Sequence, residues 1–71
     1  MNATNQNVPI PDWALDVEMR LKRLRVYKTT FAKKIGVNYN IVVSTLTGYL
    51  NRPDVQEKIL AGIRDLEKEG A

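Results

Sequence analysis

Apolar positions recur along this chain at the three-and-four spacing of α-helices, in four blocks, the first two divided by the short turn Val26-Tyr27 and the later ones by glycine, asparagine and proline. Trp13, Val17, Leu21 and Leu24 form the first stripe, and Phe31, Ala32 and Ile35 the second. Val42 and Leu46 form the third, and Val55, Ile59, Leu60, Ile63 and Leu66 the fourth. Upstream, Val8-Pro9-Ile10-Pro11 reads as extended, because each proline excludes its predecessor from the helical region. Asp12 is placed to cap the first helix, which ends near Arg25. Lys28-Thr29-Thr30 opens the second helix with a threonine hydroxyl as its cap. Gly36 stops that helix, since glycine takes the left-handed conformation without a side-chain clash.

Asn38 then caps a third helix from Tyr39 to about Thr47, whose inward pair Val42 and Leu46 is assisted by Ile41 or Thr45. The β-branched run Ile41-Val42-Val43 competes as a strand. Gly36 and Gly48 leave it too short, and no other segment has the β content to pair with it. Tyr49 to Arg52 form a loop, and Pro53 starts the last helix at a position where its missing N–H costs nothing. Asp54 and Glu57 stand at the positive end of that helix dipole, and the helix frays after Glu69.

The expected fold is therefore all-α: a compact domain of four to five helices over 12–69, behind a flexible or extended arm over 1–11. A chain of 71 residues holds one core, burying only about 60% of its unfolded surface. With no cysteine and no histidine, disulfides, thiolate chemistry and the usual zinc ligand sets are excluded. No apolar run approaches the roughly 18 residues of a membrane span, and the polar start lacks the pattern of a signal peptide. The expectation is a cytoplasmic protein with no cofactor and no evident small-molecule effector. Catalysis is disfavoured too, because the carboxylates have no histidine or cysteine to work with, and Gly36 and Gly48 stand too isolated to cradle a phosphate.

Charge changes this picture. From Arg20 to Arg52 there are eight basic residues, Arg20, Lys22, Arg23, Arg25, Lys28, Lys33, Lys34 and Arg52, and no acidic one. Asp12, Asp16 and Glu18 precede the block; five acids against Lys58, Arg64 and Lys68 follow it. A +8 centre between flanks of −3 and −2 attracts a polyanion by focusing field and releasing its counterions.

Two short helices joined by a glycine-containing turn, between longer amphipathic helices, also match a helix-turn-helix unit. There a small residue lets the second helix cross the first closely, and the turn sets the angle at which it protrudes. Ala32 is that small residue, Gly36 the turn, and Val37, Val42 and Leu46 the inward anchors. Phe31-Ala32-Lys33-Lys34-Ile35-Gly36-Val37-Asn38-Tyr39, continued through Val42, Leu46 and Gly48, resembles the helix-turn-helix of the Cro and phage-repressor (XRE-type) superfamily. The resemblance covers roughly Asp12 to Ile63, with Leu21, Ile59 and Ile63 at core positions.

This resemblance implies a lambda-repressor-like domain that sets its third helix in the major groove of double-stranded DNA. It also implies a small transcriptional regulator, a repressor of the kind found in phages and other mobile elements. The family's cap and phosphate-contacting positions hold Tyr27 and Lys28, which moves the cap to Thr29 and lets Lys28 meet a phosphate by charge. Groove-facing positions hold Asn38, Tyr39, Asn40, Val43, Ser44 and Thr47. Asn40 suits the adenine edge, Ser44 and Thr47 suit a base or phosphate, and Val43 suits a thymine methyl. Asn38 has the second reading of a pure cap, and Tyr39 that of a cover on the turn. With no arginine or lysine between Tyr39 and Gly48, A·T-containing positions are expected beneath the helix. Lys28, Thr29, Lys33, Tyr49 and Arg52 are the expected phosphate contacts, which set register without reading sequence.

A single module spans one half-site, so a homodimer, at least on DNA, is expected. Leu60 and Leu66, or the arm from Val8 to Trp13, offer the apolar surface. The alternative is a helical protein-protein interaction module, antitoxin-like or phage-structural, with no specific DNA readout.

Overall fold

A computed structural model describes residues 9–70 and contains four helices and no strand among them. They are α1 (Asp12–Leu24), α2 (Lys28–Ile35), α3 (Tyr39–Thr47) and α4 (Pro53–Gly70). The part of the expected arm before Pro9 lies outside the described residues; Pro9, Ile10 and Pro11 are non-helical. None of the described helices is long and apolar enough to cross a membrane.

Three of the helices end in the same way, and this fixes the path of the chain. After α1 the amide of Arg25 donates to the Lys22 carbonyl and that of Val26 to Leu21. After α2 Gly36 donates to Lys33 and Val37 to Ala32; after α3 Gly48 donates to Thr45 and Tyr49 to Ser44. These paired bonds satisfy carbonyls that a helix end leaves free, and they require a left-handed residue at the turn. Gly36 and Gly48 supply it at φ of 73° and 91°, whereas at φ 59° Arg25 does so against its own Cβ.

The starts of two helices differ from expectation. Pro11, at φ −62° and ψ 147°, is the capping position of α1, and its carbonyl accepts from the Ala14 and Leu15 amides. Asp12 is thus already helical and does not cap; its carboxylate lies in the first turn, where it meets the dipole instead. Neither Thr29 nor Thr30 caps α2. The chain becomes helical at Lys28, and a side chain caps only from the extended residue ahead of the first turn, which is Tyr27. By contrast Asn38 caps α3 as expected, its Oδ1 accepting from the Asn40 amide at 2.8 Å.

Ala14, Val17 and Leu21 of α1, Phe31 and Ala32 of α2, Val42 and Leu46 of α3, and Val55, Ile59 and Ile63 of α4 make one buried cluster. Trp13, Leu24, Ile35, Val37, Leu60 and Leu66 pack on it half-buried. Thr45 is the one buried polar residue among those described; its hydroxyl donates to the Ile41 carbonyl at 2.7 Å, so burial leaves no donor unpaired. Helix α4 touches α1, α2 and α3 and acts as the spine. Where it meets α2 the approach is close: a methyl at Gly62 would overlap Ile35 Cγ2 and come within 3.1 Å of the Phe31 ring.

Candidate functional site

The side of α3 away from the core is the site that the sequence singles out. At 100° per residue Val42, Thr45 and Leu46 point inward, and Asn40, Val43, Ser44 and Thr47 share the opposite side. Asn38, Tyr39 and Asn40 are exposed, whereas Val43, Ser44 and Thr47 are partly covered. Turn and cap together set this helix. Gly36 needs its left-handed backbone but has open space where a side chain would stand, so its role is conformational and not steric.

Several expected site groups have internal partners. Asn38 Oδ1 is committed to the cap, which leaves its amide NH₂ outward. The Thr47 hydroxyl donates to the Ser44 carbonyl at 3.1 Å and keeps its lone pairs for an incoming donor. Lys28 Nζ lies 2.7 Å from Glu18 Oε1, joining α2 to α1. Arg52 reaches Asp54 through two guanidinium nitrogens, Nη2 at 2.8 Å and Nε at 3.4 Å. That hydrogen-bonded pairing, ahead of the other influences on the carboxyl, holds the pKa of Asp54 below the usual carboxylate value and raises that of Arg52 above its own. Thr29, Lys33 and Tyr49 are exposed, with no ion pair or side-chain hydrogen bond among the described residues.

The basic block of the sequence is therefore broken up in space. Arg20 bridges Asp16 at 3.1 Å and Glu67 at 3.3 Å, and Lys34 bridges Glu69 at 2.9 Å. With Lys28 and Arg52, half of the eight cations of the block are matched by acids from its two flanks. These partners stand up to 47 residues away, a separation at which sequence pattern carries no signal. Such solvent-screened pairs add little to stability, but they subtract charge from any long-range attraction. Lys22, Arg23, Arg25 and Lys33 have no ionic partner within 4.0 Å among the described residues.

One feature favours an anion that the sequence did not reveal. The first turn of α2 has no side-chain cap, so its leading amides, at Lys28 and Thr29, have no capping acceptor. Free amides with the positive end of a helix dipole attract phosphate oxygens. Gly62 was also missed; it holds no ligand-facing group, but it sets how closely α4 supports the helix from which α3 turns. Trp13, Leu60 and Leu66, offered by the sequence as association surface, rest half-buried against the core. No family model, no curated protein and no solved structure matches this chain.

Proposed function

We propose that this chain is a sequence-reading module for double-stranded DNA, a small transcriptional regulator that acts as a repressor by occupying its site. In this reading the domain is lambda-repressor-like, and α3 enters the major groove. The observation that carries the proposal is the outward side of α3: Asn40, Val43, Ser44 and Thr47 form one uncharged, hydrogen-bonding and methyl-bearing stripe away from the core. Asn40 reads an adenine edge, Val43 a thymine methyl, and Ser44 and Thr47 read neighbouring base or phosphate groups. Tyr39 and the amide of Asn38 border the stripe. Lys33, Tyr49 and the uncapped start of α2 at Lys28 and Thr29 meet phosphates.

Lys28 and Arg52 reach phosphates by exchanging their carboxylate partners, Glu18 and Asp54, for the nucleic acid. This exchange lowers the net electrostatic gain, so a modest, strongly salt-dependent affinity is expected. Titrating a fluorescent duplex from about 50 to 200 mM salt tests the reading: log affinity falls linearly with log salt, and Lys33→Ala lowers the slope by about one. Absence of any salt-dependent duplex affinity would sink the proposal and leave the protein-binding module in its place.

A further inference from the structure

Helix α1 carries an apolar pair that its own fold does not use. Leu15 and Met19 are 46% and 61% exposed, and they are the only large aliphatic side chains exposed on a helix among the described residues. They lie on the side opposite Ala14, Val17 and Leu21, which face the core. With Asp12 before them and Lys22 after them, they complete a stripe at the three-four-three spacing of a helix-pairing seam.

The stripe is self-complementary in charge. Asp12 stands at its start, Lys22 and Arg23 at its end, and the apolar pair between them, with Asp16 beside the pair. Asp12, Lys22 and Arg23 have no ionic partner within 4.0 Å among the described residues, whereas Asp16 is held by Arg20. Two α1 helices laid antiparallel about a twofold axis near Val17 place Asp12 of each opposite Lys22 of its mate. The same axis sets Leu15 of each against Met19 of the other. A parallel pair would instead oppose like charges. An isologous interface requires one patch to complement itself, and this one does.

We infer that the outward face of α1 is the homodimerisation surface of this protein, an antiparallel pairing centred on Leu15 and Met19. The inference names a surface used by the chain alone and does not rest on the DNA-binding reading. Since α1 runs only about 20 Å at 1.5 Å per residue, the contact is small and the association weak. A dissociation constant on the order of 100 µM is expected for an interface below the standard size.

Sedimentation equilibrium of the full chain without DNA, from about 10 µM to about 2 mM so as to bracket that constant, provides the test. The expected result is a reversible monomer-dimer equilibrium, weakened at least about tenfold by Met19→Gln, which removes apolar burial at two symmetry-related places. Met19 is largely exposed, so the variant keeps its fold by circular dichroism. Asp12→Lys and Lys22→Asp each weaken the homodimer by opposing like charges, and mixing the two variants restores association, because the heterodimer recovers both pairs. A monomer throughout that range overturns the inference, as does a dimer indifferent to Met19→Gln or charge variants whose mixture stays monomeric. Duplex binding by a chain that never dimerises would separate this failure from failure of the function proposed above.

Discussion

Helix α2 meets two neighbours beside a glycine, and the two glycines act for different physical reasons. At the turn into α3, Gly36 is needed for its left-handed backbone, and nothing crowds the place its side chain would take. At the crossing with α4, Gly62 lies within a helix, and Ile35 and Phe31 already fill that place. The turn aims the helix that carries the candidate site, whereas the crossing holds the platform from which it is aimed. One junction is therefore sensitive to backbone conformation and the other to volume, and substitutions can tell them apart.

The largest effect belongs to volume. Gly62→Val forces a branched side chain into Ile35 and the Phe31 ring and is expected to cost about 3 kcal/mol, at the upper end of overpacking penalties. That is a large part of the total stability of a domain this small, so its denaturant midpoint should collapse. Gly62→Ala loses less, about 1 kcal/mol, because better helix propensity offsets part of the overlap. At the turn the dependence on size disappears. Gly36→Ala costs roughly 1–2 kcal/mol through its positive φ, and Gly36→Asn costs less than Gly36→Ala although asparagine is larger. Should the asparagine variant be the less stable of the two by chemical denaturation, the conformational account of Gly36 is wrong.

Smaller effects follow at the caps. Asn38→Ala removes the acceptor of the Asn40 amide and is expected to lower stability by about 1 kcal/mol, with Asn38→Asp largely restoring it. Arg25→Gly relieves the left-handed strain after α1 and should raise the thermal midpoint slightly, a gain of under about 1 kcal/mol once the added freedom of the unfolded chain is counted. The smallest effect is that of pH on the Arg52–Asp54 pair. The folded pKa of Asp54 is depressed, so the pair's contribution is fully present above the unfolded carboxyl value and is lost as pH falls through the folded one. Asp54→Asn abolishes that acid-side slope.

The same contrast marks what the sequence could and could not announce. Gly36, Asn38, Gly48 and Pro53 punctuate the apolar pattern at points where backbone chemistry is local, and the helix boundaries follow from them. The outward stripe of α3 follows from its period, with Val42 and Leu46 inward as expected. Gly62 gives no signal in the sequence, because nothing in one dimension says which helix crosses there. The pairing of Arg20 with Glu67 and of Lys34 with Glu69 joins segments far apart in the chain and was equally invisible. At α1 and α2 the sequence points to Asp12 and Thr29 as caps, although Pro11 and Tyr27, which lack any capping group, hold those positions.

The claim that matters most is that Asn40 reads a base from the open side of α3. Selection of bound duplexes from a random library, run in parallel with the wild-type chain and Asn40→Ala, addresses it directly. The wild type should enrich a motif with A·T pairs beneath α3, and the variant should lose about 1–3 kcal/mol of preference at one adenine position while keeping the others. No enriched motif, or the same motif from both proteins, would contradict the account.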